Sequence, residues 1–335
     1  MSGADGRQES TRALERRAYE LGFHAFGVAD ARPPIDPEGR LQAWLEEGMH
    51  GGMEWMADSA SRRIDVQESL PGARSVIAVA VSYYRPEPPE TPEPELRTAR
   101  YAQGLDYHRW VRRRLRKLRL TLLELFPGAK VYPTVDTSPV LERAWAERAG
   151  VAWIGKSTMA IHPRLGTYTF LGTLITDAVL QTSTPLPDRC GSCTACLDAC
   201  PTDAFPEPGV LDARKCISYW TLETRDQPLP DEAELHGWVA GCDVCQEVCP
   251  WNKFALPSTE PRTEPRAGLR HPDVEVFSQP SAHEALTELI AGTALQRTGA
   301  EALRRNATRA RARPRRDSAS FEGLDGEDGG SSSQT

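Results

Sequence analysis

The 335-residue sequence has no cysteine outside positions 190–249, and that confinement decides more than its bulk composition does. Thiols spread along a secreted chain suit a disulfide framework, whereas close C-x2-C repeats in an intracellular chain suit metal. No apolar run approaches the roughly 20 residues that cross a bilayer, and no secretory signal opens the chain, so a cytoplasmic protein with no membrane partner is expected. A G-x-G-x-x-G turn is missing, which removes the usual dinucleotide fingerprint. A C-x3-C-x2-C triplet is missing too, and with it the open iron that radical use of S-adenosylmethionine requires. Acids are absent from one segment in particular. Between Arg109 and Arg119 seven of eleven residues are basic and none is acidic, although the whole chain carries a net charge of −7.

What is present is a set of eight cysteines. They read C-G-S-C-T-A-C-L-D-A-C-P from 190 to 201, then a lone Cys216, then C-D-V-C-Q-E-V-C-P from 242 to 250. The first run is C-x2-C-x2-C-x3-C-P, the bacterial ferredoxin spacing, in which three thiolates wrap one cubane and the fourth ligates its neighbour. The second run keeps only the last three positions, since Val239 stands where a first ligand would be. Cys216 is the thiol left to complete it. The expected assignment is therefore Cys190, Cys193, Cys196 and Cys249 on one [4Fe-4S] cluster, and Cys200, Cys216, Cys242 and Cys245 on the other. Zinc, which takes two ligands from each of two short loops, would leave the triple spacing and the two C-P dipeptides unexplained.

Two clusters conduct electrons without transforming a substrate, so the roughly 180 residues ahead of them must supply a docking surface or a second cofactor. The pattern there alternates helices and strands. Residues 1–10 are small and polar and are expected to be unstructured, and Thr11–Leu21 reads as a helix closed by Gly22. Phe23–Val28 reads as a short strand, and Leu41–Met56 as helix interrupted at Gly51-Gly52. Ser75–Tyr83 is a β-branched run suited to a buried central strand. Residues 85–95 hold five prolines and form a loop. Lys130–Val135 and Tyr168–Thr176 read as further strands. The fold class is α+β: an N-terminal α/β domain over 11–180, a two-cluster ferredoxin domain over 181–260, a helical segment over 261–310, and a polar tail over 311–335.

Three features ahead of the cysteines point to chemistry. Asp106–Phe126 places Val111, Leu115, Leu118, Leu122 and Leu125 on one helical stripe. Its opposite face is nearly all arginine. A plain solvated face is one reading, but surfaces kept only for solubility mix signs, and a polyanion would relieve the repulsion. Asp136 ends a strand just before a helix for which Ser138 is the expected N-cap and Pro139 the first residue. It either caps that helix or reacts. Lys156, following a glycine, is a weaker candidate for a cofactor contact. A corrin or a flavin, held largely through backbone contacts, fits the absence of any short fingerprint.

The stretches V-D-T-S-P-V-L-E-R-A-W-A-E-R-A-G-V-A-W-I-G-K-S-T (135–158), R-Y-A-Q-G-L-D-Y-H (100–108), L-P-G-A-R-S-V-I (70–77) and K-C-I-S-Y (215–219) resemble those of the epoxyqueuosine reductases. The resemblance spans about residues 10–310. It implies a cobalamin-binding catalytic domain joined to the ferredoxin domain, and removal of an epoxide oxygen from a tRNA wobble nucleotide. It makes Asp136 the general acid, a role that calls for a raised pKa. It also suggests cobalamin contacts from Arg63, Arg100, Tyr101, Tyr107, His108, Lys156 and Ser218. Arg109, Arg112, Arg113, Arg114, Arg116 and Arg119 become candidates for the tRNA backbone, with Asn306 and its basic neighbours as a second patch. A monomer fed by an external low-potential donor of flavodoxin or ferredoxin type is expected. Where many members of the family continue into helical repeats, this sequence passes into a Gly/Ser-rich acidic stretch. The competing readings are a corrinoid reductive dehalogenase, disfavoured because Arg16-Arg17 precedes no apolar export segment, and a non-catalytic electron-transfer subunit.

Overall fold

The structure, a computed structural model, describes residues 4–36, 38–87 and 94–312. Its first half is built on a four-stranded sheet. The strands are β1 (Ala25–Asp30), β2 (Ser75–Ser82), β3 (Val131–Thr134) and β4 (Thr169–Thr176), in the order β1-β2-β4-β3. Every pairing in it is antiparallel. All eight residues of β2 are buried, because both of its edges are paired and both of its faces are covered. The alternation of side chains sorts them. Ile77, Val79 and Val81 meet Leu14 and Ala18 of helix α1 (Ala4–Glu20) and Val111, Leu115, Leu118 and Leu122 of helix α2 (Tyr107–Leu125). The smaller Val76, Ala78 and Ala80 face Trp145 and Ala146 of helix α3 (Glu142–Arg148). Close approach on that face requires Gly27, where a Cβ would lie 2.0 Å from the Ala149 carbonyl oxygen.

Several local expectations are revised. α1 begins at Ala4, not after residue 10; Asp5 sits in its first turn, where the helix dipole favours an acid, and the Thr11 hydroxyl bonds back to the Arg7 carbonyl. Leu125, expected on the buried stripe of α2, is 38% exposed at the last position of the helix, where Phe126 packs on the core instead. Ser138 caps no helix: its hydroxyl accepts from Tyr132 Oη (3.3 Å), and α3 starts only at Glu142. The helix over 41–56 breaks at Glu47, before the glycine pair. The proline-rich loop falls partly, and the tail from 313 wholly, outside the described residues.

The second half has its own core. Leu96, Ala99 and Ala102 join Ile217 and Trp220 of helix α4 (Ile217–Leu222), Trp238 and Val239, and Leu286, Ile290 and Leu303 of helices α5 (His283–Ile290) and α6 (Ala300–Ala312). The segment 96–102 thus crosses from the sheet half into this core, as a short parallel pairing of Arg97–Thr98 with Trp238–Ala240. Asn306 is fully buried within it, so its expected place on an RNA-facing patch is not what the fold gives it. Its Nδ2 donates to the carbonyls of Thr221 and Val239, both at 2.9 Å. It is a clasp between α6 and the elements flanking Cys216 and Cys242.

Candidate active site

Asp136 lies just beyond the end of β3 in the left-handed region, at φ 53°. An L-residue there costs about 1–2 kcal/mol, although Asp tolerates it better than most. Its Oδ2 accepts from Tyr107 Oη (2.6 Å) and from His108 Nε2 (3.0 Å), both in the first turn of α2. The other ring nitrogen of His108 bonds Asp106 Oδ1 at 2.7 Å, and Asp106 also caps α2. Burial alone would discharge the imidazole, but the two flanking carboxylates outweigh it and raise His108 to about 9. For Asp136, burial pushes upward, and the hydrogen bonds from His108 and Tyr107 bring the carboxyl below its ordinary value. The raised pKa expected of Asp136 is therefore reversed. At neutral pH the proton of this pair rests on His108.

A second acid stands behind Asp136. Glu142, the first residue of α3, accepts the Asp136 backbone N–H at 2.8 Å. Burial first, and the Asp136 charge second, push its carboxyl up to about 7. Arg63, on the short helix Ala60–Ile64, feels the charge of both acids, and Arg143 reaches the Thr158 carbonyl across the loop. Thr158 is another residue with positive φ, at 61°. Strain of this kind concentrates where geometry is functional.

Asp136 has a side chain 62% exposed, and Arg143 is exposed as well, yet burial is the leading influence on both. Tyr101 and Glu142 combine open surface with strong burial in the same way. Groups that water can touch but protein surrounds line a recess of the surface, the cleft beside Asp136. Tyr107 stacks on Phe170 (4.2 Å between centroids) to form part of that wall. Arg100, behind Tyr101, gives its backbone N–H to Asp243 Oδ2 (2.7 Å) and keeps a buried Nε with no partner. A wall of aromatic rings beside a buried unpartnered guanidinium nitrogen suits a large, flat ligand bearing polar acceptor groups.

The eight cysteines lie near one another, and the charge felt between their thiols runs mostly within the two expected groups, although Cys245 also feels Cys196 of the other group. Cys249 lies near enough to Cys190, Cys196 and Cys193 to feel their charge. Cys242 feels Cys245 and Cys216, and Cys216 feels Cys200. Cys193 is exposed and the other seven are half-buried. The first quartet is covered by the hairpin of Trp153–Ile154 and Ala160–Ile161. At its bend a Cβ on Gly155 would come within 3.3 Å of Cys190 Sγ. Lys156 Nζ donates to the carbonyls of Gly191 (2.7 Å) and Cys193 (2.9 Å), and Ser157 bonds Cys196. Ser218 hydrogen-bonds the Cys216 sulfur. Arg63, Tyr101, Tyr107 and His108 thus gather around Asp136, whereas Lys156 and Ser218 attach to the cysteine loops.

Comparison with known proteins follows this division. The family described as 4Fe-4S double cluster binding domain matches residues 189–252, and that described as Epoxyqueuosine reductase QueG, DUF1730, matches residues 63–137. The epoxyqueuosine reductase of Synechococcus sp. (strain CC9605) is 42% identical over 318 residues, covering 92% of this chain and 97% of that one. The chain belongs to the epoxyqueuosine reductase family. A crystal structure of epoxyqueuosine reductase with an epoxyqueuosine-modified tRNA-Tyr stem loop superposes with a TM-score of 0.81 at 29% identity, covering 90% of this chain and 80% of that one. The Bacillus subtilis epoxyqueuosine reductase, solved with its catalytic aspartate loop swung out of the active site, gives the same TM-score and identity over 90% and 81% of the two chains.

Within this epoxyqueuosine reductase fold, two acids escape a reading of the sequence alone. Glu142 looks like an ordinary first-turn acid until the left-handed turn at Asp136 brings the two together. Asp243 sits between two cysteines, where it accepts from Arg100 and Gln246 and is pushed up to about 6 by burial. Arg114, expected to face RNA, instead donates to the Gly22 carbonyl and to the buried Glu260. It holds α2 against the chain on either side. No helix among the described residues is long and apolar enough to cross a membrane.

Proposed function

We propose that the His108–Asp136 pair delivers the protons that convert epoxyqueuosine to queuosine at the wobble position of tRNA. The reaction takes two electrons and two protons: both C–O bonds of the epoxide break, a C=C bond forms, and the oxygen leaves as water. Two [4Fe-4S] clusters held by the cysteine quartets, and a cobalamin in the cleft, supply the electrons when bound. Arg63, Arg100, Tyr101, Tyr107 and His108 would hold the cobalamin from the catalytic half, and Lys156 and Ser218 from the cluster half. The developing alkoxide is a poor leaving group until it is protonated. Asp136, open to the cleft, hands on a proton that His108 Nε2 passes to it across 3.0 Å. Asp106 holds the other ring nitrogen and keeps the imidazole aligned for the next transfer. That hydrogen-bonded chain, Asp106 to His108 to Asp136, is the observation that carries the proposal.

The tRNA backbone would lie along α2, whose first turn carries Tyr107 and His108. Arg112 there bonds the Thr137 hydroxyl, one residue from Asp136. Farther along, Arg113, Arg116, Lys117 and Arg119 line an open groove of about 500 Å³ with Leu120 and Pro133. None of these four cations has an ion-pair partner among the described residues. Arg109 completes the row. Electrons would enter from an external one-electron donor protein at the quartet of the exposed Cys193. The setting is the cytoplasm, with the monomer as the working unit.

Protein reconstituted with iron, sulfide and cobalamin should convert an epoxyqueuosine-bearing stem loop to the queuosine form. Asp136→Asn should lower turnover at least a hundredfold with both cofactors retained. Full activity of that variant would remove Asp136 from the proton path.

A further inference from the structure

We infer that Glu142 is a positioning residue whose carboxyl oxygen latches the Asp136 backbone in its left-handed turn. The inference rests on Asp136 being the proton-delivering residue, and it identifies what keeps Asp136 in place. A non-glycine residue at positive φ needs a compensating contact, because the extended or helical regions are lower in energy. Leaving φ 53° would swing the side chain away from Tyr107 and His108. The Asp136 N–H makes its one side-chain contact here, to Glu142 Oε1 at 2.8 Å.

That acceptor is anchored from two sides. Glu142 begins α3, and the next turn of this helix carries Trp145 and Ala146, both fully buried against the sheet, so the base of the arm is fixed. The same Oε1 accepts from the Thr134 hydroxyl at 3.4 Å. Thr134 is fully buried, and its hydroxyl meets that of its cross-strand partner Thr173 at 2.6 Å. A hydrogen-bonded line thus runs from the centre of the sheet, through Thr173, Thr134 and Glu142, to the Asp136 amide. Arg63 and Arg143 bring positive charge to the same carboxyl from the short helix Ala60–Ile64 and from α3 itself. The latch works by reach: an oxygen at the end of a side chain of this length, whether or not it carries charge.

Reach and charge predict different outcomes. Glu142→Gln keeps the acceptor oxygen at the same distance and removes the charge. Glu142→Asp keeps the charge and withdraws the oxygen by one methylene. On reconstituted holoenzyme, amide hydrogen exchange at Asp136 and Thr137 should be unchanged in the Gln variant. It should be about 10- to 100-fold faster in the Asp and Ala variants, as loss of a hydrogen bond to a carboxyl group implies. In parallel, kcat on the epoxyqueuosine stem loop should stay within about threefold of wild type for Gln and fall about tenfold or more for Asp and Ala, with KM and cofactor content unchanged. A Gln variant as impaired as Ala beside an Asp variant like wild type would overturn the latch and make the Glu142 proton the relevant quantity. Fast exchange without loss of kcat would overturn it as well. The exchange measurement needs no turnover, so a wild-type protein inactive on epoxyqueuosine would sink the functional reading while leaving the latch result legible.

Discussion

α2 and α6 are both rich in arginine, and they use it in opposite ways. On α2 Arg113, Arg116, Lys117 and Arg119 line an open groove and meet no carboxylate among the described residues, whereas Arg114 between them is taken by Glu260. On α6 nearly every arginine is engaged. Arg305 donates to the carbonyls of Thr224, Gln227 and Trp220, Arg309 to that of Asp231 (3.0 Å), and Arg311 pairs with Glu95 (2.9 Å). Backbone carbonyls at chain ends and turns need donors, and arginine with its five N–H groups can satisfy several at once. The same residue type is thus a structural donor where the fold leaves carbonyls unmet. It is a free cation where the fold leaves none. The acidic net charge of the whole chain says nothing about which case applies.

Removing the clasp on α6 should have the largest effect. Asn306→Leu leaves two buried carbonyls unpaired and should cost about 3–5 kcal/mol, read as a shift of the urea midpoint and as loss of iron from the quartet containing Cys216. A variant as stable as wild type would return α6 to the status of a binding surface. The complementary change on α2 should act on binding instead. Replacing Arg113, Arg116 and Arg119 by Ala should weaken stem-loop affinity about 10- to 100-fold and flatten the salt dependence by a slope of roughly 2–3, with the urea midpoint unmoved. An unchanged salt slope would make the α2 face a solvated surface and erase the contrast.

The difference between the two helices also marks how far the sequence could be read. Cysteine spacing foretells the double-cluster domain matched over residues 189–252, because cluster geometry constrains neighbours a few residues apart. The apolar stripe of α2 is legible for the same reason, from Val111 to Leu122, and fails only at Leu125, the last residue of the helix. Carbonyl acceptors carry no side-chain signature, so nothing in R-R-N-A-T-R-A-R distinguishes a clasp from an RNA patch. Asp136 stands out by position at a strand end. What surrounds it does not: beyond the left-handed turn α3 starts at Glu142 and not at Pro139, the expected cap at Ser138 is absent, and Glu142 accepts the Asp136 amide. The ionisation state of Asp136 was open to misreading on the same ground, since it depends on a histidine 28 positions away.

The first turn of α2 offers the smallest test, one of sign more than size. His108 is raised to about 9 by Asp106 and Asp136. A histidine stabilised as the cation contributes fully below its unfolded value near 6.5 and loses that contribution as pH rises through its folded value. Stability relative to His108→Gln should therefore be constant from about pH 5 to 6.5 and should decline between about 6.5 and 9. The total change should be on the order of 2 kcal/mol, allowing for screening at a side chain that is 24% exposed. Asp106 and Asp136, both lowered, act at the other end: their contribution is present above about 4 and is lost as pH falls through their folded values. Turnover should follow the same alkaline limb, because above about 9 the pair has no proton left to deliver. A stability difference that grew with pH through this window would mean that the imidazole is held neutral. The proton would then have to come from Glu142, and the first turn of α2 would contribute an aromatic wall and nothing more.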